Sequence, residues 1–306
     1  MSRNLSEGLT LAAATGPSWR TRLGILRRIL FRDLSTAVGI TVIVLFVLVA
    51  LLAPVLMTDD PWAINRRPNG TIARLDPPSR AHWLGTTDLG RDIYSQVVVG
   101  SRAALLVGFL AALMTTVVGT SVAVIAGYFG GWVDDLLMRV VDFAYAVPFV
   151  PFVIILVSLL KPSLANVIIA IALLYWRSSA RVIRAQVLSL RERPYIKAAR
   201  VAGAGPWRII YHHITPNILP LAMLYMAIGV GWAIITESSV SFLGLGDPLV
   251  ISWGSMLNLA FTTGAMQRAW WWVLPPGFSI ILLVVATFLV GRSVEEYANP
   301  RLRGEV

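Results

Sequence analysis

Uncharged apolar runs alternate with short polar stretches along the whole chain: Leu34 to Met57, Ala103 to Tyr128, Phe143 to Leu160, Pro162 to Trp176, Ile214 to Thr236 and Ala269 to Val290. A helix needs about 20 mainly apolar residues to cross a bilayer, so these runs predict six membrane-spanning helices. The fourth run is short. Its helix is expected to continue through Arg177, Arg181 and Arg184, which fall within about 60° of one another at helical pitch and would leave the bilayer as a basic face. Pro148 and Pro151 are read as shaping the third span rather than contacting a solute.

Between the runs lie two sizeable excursions. The segment 58–100 is rich in Pro and turn residues. There Asp88, Gly90, Arg91 and Asp92 read as a turn entering a helix, with Asp88 as its expected cap. The segment 185–213 contains PYIKAARVAGAGP, from Pro194 to Pro206. Pro194 suits the first turn of a helix, and Gly203, Gly205 and Pro206 suit its end. On a helical wheel Tyr195, Ala198, Ala199, Ala202 and Gly203 share one face, with Arg193, Lys197 and Arg200 opposite. Side chains this small contribute little hydrophobic drive but let another surface approach the backbone closely. Two readings remain at this point: a docking surface, or an interfacial helix joining two spans. Trp207 opens a further helical segment into the fifth span, with Pro216 and Pro220 allowing bends.

Charge orients the reading. Eight Lys or Arg against one acid fall between Arg177 and Arg208, whereas Asp59 to Asp92 holds five of each sign. The positive-inside rule then places the loops after the second and fourth spans, and both termini, in the cytoplasm. Residues 1–33 are expected to form a cytoplasmic N-terminal segment, 34–292 the six-helix membrane domain and 293–306 a cytoplasmic tail. Within the first of these, Trp19, Leu23, Leu26 and Leu30 alternate with arginines, either as a helix on an anionic leaflet or as a solvated basic tail. The first apolar run is too long for a cleavable signal and reads as a retained anchor.

Composition agrees: 57% of residues are hydrophobic and 14% charged, against roughly 25% charged in soluble domains. The net charge of +10 follows from topology and does not point to nucleic acid. Cysteine is absent, which excludes disulfides and thiolate metal sites. The three histidines are His82, His212 and His213, and no His/Asp/Glu set shows metal-ligand spacing along the chain, so an embedded enzyme finds little support. A gradient-driven transporter or channel fits the hydropathy alone. Glu237 interrupts the far end of the fifth span. It is read either as lining a translocation cavity or as satisfied by Ser238, Ser239 and Ser241. Asp142 is expected to pair with Arg139, and Trp270, Trp271 and Trp272 to sit in an interfacial belt.

Ala198-Ala199, Gly203 and Ile214-Thr215-Pro216 resemble the cytoplasmic signature of bacterial ABC importer permeases. Lys197 stands where that signature has an acid, and Thr215 where Leu is common. HWLGTTDLGRDIYSQVVVGSR (His82 to Arg102), AGYFGGWVDDLLMRVVD (Ala126 to Asp142), SVSFLGLGDP (Ser239 to Pro248), SWGSML (Ser252 to Leu257) and NPRLR (Asn299 to Arg303) are similar to the dipeptide/oligopeptide/nickel class, second permease type. The resemblance implies an all-α integral membrane fold of the type I importer permease architecture, with a cytoplasmic coupling helix. It further implies a homologous permease partner, two ATPase subunits and an extracytoplasmic substrate-binding protein. ATP and Mg would sit on the ATPases, since no Gly-x-x-x-x-Gly-Lys-Ser/Thr occurs here. Tyr195, Lys197, Ala198, Ala199, Arg200, Ala202, Gly203 and Pro206 would contact the ATPase. The implied function is a non-enzymatic subunit forming half of a path for peptides or related solutes in the bacterial inner membrane.

Overall fold

A computed structural model describes residues 33–298. The basic N-terminal stretch and the NPRLR motif lie outside the described residues. The helices are α1 (Leu34–Leu56), α2 (Ile93–Phe129), α3 (Gly131–Ala146), α4 (Phe149–Leu160), α5 (Leu164–Arg191), α6 (Pro194–Val201), α7 (Pro206–Ile209), α8 (Thr215–Phe242), α9 (Trp253–Thr262) and α10 (Trp270–Ala298). No strand occurs among the described residues, where only two isolated bridges, Arg66 with Ile72 and Thr86 with Asp92, pin the excursion before α2. Five helical stretches are long and apolar enough to cross a membrane, and a sixth forms if α3 and α4 count as one span.

That sixth span corrects the reading of a continuous helix from Phe143 to Leu160. α3 and α4 meet at 85°. Pro148 has no N–H to donate and steers the preceding residue out of the helical region, and Val147 accordingly adopts φ −82°, ψ 121°. Arg177 of α5 donates to the carbonyl of Ala144, so an end carbonyl of α3 is satisfied without further turns. At about 1.5 Å per residue, the 12 residues of α4 are too short to span a bilayer alone.

α2 is the central post, packed along α5 and also against α8 and α1. Its seam with α5 depends on glycine. A Cβ at Gly119 would lie 2.6 Å from the Trp176 carbonyl oxygen and 2.1 Å from Ser179 Oγ, and one at Gly127 would lie 2.8 Å from Val187 Cγ1. Without a bulk hydrophobic force between helices in lipid, such close backbone approach supplies the dispersion contact that holds them. α10 packs on α8 and α1, closing the bundle.

The basic face of α5 does not stay bare. Arg181 pairs with Asp142 and Arg184 forks both oxygens of Asp134, both acids on α3. Asp142 therefore does not pair with Arg139 as expected; its partner comes from another helix. The Arg181 and Arg177 guanidiniums also lie 4.3 and 4.9 Å from the Tyr145 ring centre, so α3 is clamped to α5 by charge and cation–π contact together.

Candidate functional site

At one end of α2 the chain presents α6. Pro194 stands in its first turn, and the Schellman pattern closes it: the Gly203 N–H donates to Arg200 O and the Ala204 N–H to Ala199 O, each at 3.0 Å. Gly203 has φ +81°, the left-handed conformation that an L side chain resists. The expected helix and its expected end are both present.

Burial along α6 divides sharply. Ile196 is wholly buried, packed with Val187, Leu190, Ile209, Ile210, Ile214 and Ile218 in one apolar cluster. Tyr195, Lys197, Ala198, Arg200, Ala202, Gly203 and Pro206 are exposed, and Ala199 is half-buried. Val201 is 90% exposed. α6 is therefore a helix with one apolar peg inward and its small-residue face open. Lys197 Nζ reaches Glu192 Oε2 at 3.1 Å, which holds the Glu192 carboxyl below its usual range, with Arg191 adding to the effect. Arg200 lies over the Tyr128 ring at 5.4 Å.

α6 connects to the bundle through α7 and a π turn, Ile210–Ile214, that runs directly into α8. Pro216 cannot donate an amide, and the turn lies just before it. Asn217 Nδ2 donates to His213 O at 2.6 Å, satisfying a carbonyl at this joint. The two prolines are placed differently: Pro216 stands in the first turn of α8, directly after the π turn, and Pro220 lies inside that helix. Trp207 stacks on Tyr211 and meets Phe129 edge-on, tying the joint to the end of α2.

At the opposite end of α2 the cap is Asp92, whose side chain accepts from Ser95 N at 2.8 Å; Asp88, the expected cap, does not fill this role. Thr58 Oγ1 donates to the same oxygen, Asp92 Oδ2, at 3.2 Å. His82 Nδ1 stands 3.0 Å from Asp92 Oδ1 and 3.7 Å from Asp59 Oδ2. Folding thus brings Asp59, His82 and Asp92 into a group whose ligand atoms lie within 4.8 Å, which linear spacing did not reveal. Their donor set would suit a small cation, but Asp92 already serves the cap and Thr58.

Glu237 is 1% exposed. Ser241 Oγ donates to it at 2.7 Å and Ser238 Oγ at 3.4 Å, whereas Ser239 turns to Ile235 O. Two of its three expected hydroxyl partners are therefore present. Just beyond it lies α9, a helix absent from the apolar-run reading. Its N-terminus carries a capping box of Ser252 and Ser255. Trp253 is buried and donates to Val97 O at 2.9 Å, and Gly100 leaves room for its ring. The SWGSML motif is thus a capped, tryptophan-anchored helix. Of the interfacial belt, Trp270 is 61% exposed but Trp272 is fully buried in the core with Trp253, correcting that part of the expectation.

The described residues form a helical bundle with five or six segments able to cross a membrane and a short exposed helix joined to them, the architecture of a multi-pass membrane protein. The chain belongs to the family of binding-protein-dependent transport system inner membrane components, which it matches over residues 119–304. It is 39% identical over 267 residues to the dipeptide transport system permease protein DppC of Alkalihalophilus pseudofirmus, covering 87% of this chain and 86% of that one. It is 36% identical to the protein of the same name from Haemophilus influenzae, over 87% and 90%. The glutathione transport system permease protein GsiD of Pectobacterium atrosepticum is 34% identical, over 90% of each chain. The chain is a multi-pass inner-membrane permease subunit of an ABC importer. It is not an enzyme, and ATP hydrolysis belongs to a separate subunit.

Proposed function

We propose that α6 is the coupling helix through which ATPase closure moves this permease, and that the cargo is a peptide or a related small solute. The observation that carries the reading is the division of α6 between a single buried peg, Ile196, and an open face of Tyr195, Ala198, Ala202 and Gly203 with the half-buried Ala199 beside them. A cleft on an ATPase subunit would seat that face, with Lys197, Arg200 and Pro206 at its margin. ATP with Mg would bind on the ATPase pair. Movement of α6 would pass through the isoleucine cluster into α2, α5 and α8, shifting a packed bundle between discrete arrangements.

In this reading α6 and both termini face the cytoplasm, in line with the charge bias. Residues 34–292 form the membrane domain, flanked by cytoplasmic segments 1–33 and 293–306. A homologous permease completes the path as a heterodimer, and an outside binding protein delivers the solute. Relatives named for dipeptide and glutathione transport support the peptide class. Glu237 acts from behind the wall by holding Ser241, without touching solute.

Ala198→Trp tests the coupling. Ala198 is exposed and lies in regular helix, so a bulky side chain there leaves the fold within about 0.5 kcal/mol of the parent. In proteoliposomes with ATPase and binding protein, uptake per ATP hydrolysed is expected to fall at least about tenfold, the equivalent of ~1.4 kcal/mol in seating the face. Full coupling by Ala198→Trp would remove α6 from the proposed role. Gly203→Trp is a poorer probe, since strain at φ +81° mixes with loss of docking.

A further inference from the structure

At the α9 end of the bundle, a cavity of about 330 Å³ opens between the segment carrying Trp62, Arg91 and Gln96 and the segment carrying Asp247, Ser255 and Asn258. The size is at the lower end of small-molecule sites, roughly 300–1,000 Å³. It has room for a small solute.

Its polar groups are unusual in being incompletely matched. Arg91 Nε is buried with no hydrogen-bond partner, and Arg91 enters no ion pair among the described residues. Its guanidinium lies 4.8 Å from the Trp62 ring centre, a contact that orients the fork but leaves its donors open. A buried donor without an acceptor is costly, and a planar guanidinium suits a carboxylate with two parallel bonds. Asp247 supplies the opposite sign. Its oxygens accept from Leu249 N at 2.9 Å and Leu164 N at 3.3 Å, which fixes the carboxylate in place while leaving further acceptor positions and no cationic partner. The site therefore holds a fixed cation and a fixed anion, on separate segments, with no ion pair between them.

We infer that this cavity binds the two charged termini of a short peptide zwitterion, its carboxylate on Arg91 and its ammonium toward Asp247. Gln96 and Asn258 have their amide nitrogens committed to Pro61 O and Phe242 O, at 3.0 and 2.6 Å, so each presents its carbonyl oxygen as an acceptor for peptide N–H or ammonium. Ser241, the hydroxyl held by Glu237, forms part of the wall. The inference rests on the proposed reading, since it places this cavity on the side where solute arrives and takes peptides as the cargo class.

The test is equilibrium binding of radiolabelled alanyl-alanine to the full chain with its permease partner in nanodiscs, without binding protein or ATP. Weak binding, on the order of 1 mM, is expected, as suits a site that must release its occupant. Loss of one charge-assisted pair predicts at least about tenfold weaker binding for Arg91→Gln, for N-acetyl-alanyl-alanine and for alanyl-alanine amide. Asp247→Asn should selectively weaken peptides with a free amino group. Should that variant disturb the turn at Leu249, Arg91→Gln and the two blocked peptides decide the matter alone.

Equal binding of blocked and free peptides, or unchanged binding by Arg91→Gln, overturns the inference. So does a result in which Arg91→Gln leaves peptide binding intact but abolishes capture of the binding protein, because the carboxylate would then come from a partner side chain. ATP-driven peptide uptake that persists without any binding here refutes this site alone. Absence of ATP-driven peptide uptake with all partners present refutes the proposed function instead.

Discussion

The two ends of α2 are held by different physics. Around α6 the main contact is an apolar cluster of Ile196, Ile209, Ile210, Ile214 and Ile218 with Val187 and Leu190, to which α6 contributes one buried side chain; Arg191 on the Gly127 and Tyr128 carbonyls and Arg200 on the Tyr128 ring stand at its edge. At the other end Thr58, His82, Asp92 and Ser95 form a directional polar network, and Trp253 adds its bond to Val97. Directional bonds fix one geometry. An apolar cluster of branched side chains penalises separation but tolerates small rotations, which suits a helix that must be pushed.

Breaking the polar end should have the largest effect on stability. Asp92→Ala removes the α2 cap and the carboxylate that Thr58 and His82 meet, and is expected to cost about 3 kcal/mol, seen as a lower midpoint in thermal unfolding of the purified protein. If the midpoint does not move, that network is not what fixes this end. Ile196→Ala should cost about 2 kcal/mol, but locally. Hydrogen exchange is expected to rise in α6 and the adjoining turn while the ends of α2 and α10 near Trp253 stay protected, and uptake per ATP should fall with membrane insertion unchanged. Exchange spread evenly over the bundle would contradict a single-peg attachment.

The smallest effect concerns pH. Lys197 holds the exposed Glu192 carboxyl below its ordinary range, so their link is complete at neutral pH and above the unfolded value. It is lost as pH falls through the depressed folded value. A spin label at Ala198 should therefore gain mobility only in strong acid, and Glu192→Gln should make that mobility independent of pH.

The spans were legible because length and apolarity are local properties: α1, α2, α5, α8 and α10 each cover all but at most two residues of the run that announced them. The end of α6 was legible too, since Gly203 can adopt a conformation that other residues resist. The corner at Val147 and Pro148 was hidden inside an apolar run, where proline is common in spans that do not break. The partners of Asp142 and Asp134 lie 39 and 50 residues away, beyond any pattern within one helix. α9 is 10 residues long, too short to register among runs judged by membrane length, although Ser252 and Ser255 were a local signal for its start. At the candidate site, the small-residue face was readable, whereas the meeting of Arg91 with Asp247 around one cavity needed segments more than a hundred residues apart to close on each other.

The right-angled junction of α3 and α4 has a mechanical corollary. A straight rod passes an axial push to its far tip; a bent one acts as a crank. α3 is clamped to α5 through Asp134 and Asp142, and α4, on the other side of Pro148, packs on the same helix, so the three would move as one angled unit. A push delivered along α3 would therefore reach α4 turned through the 85° of that corner.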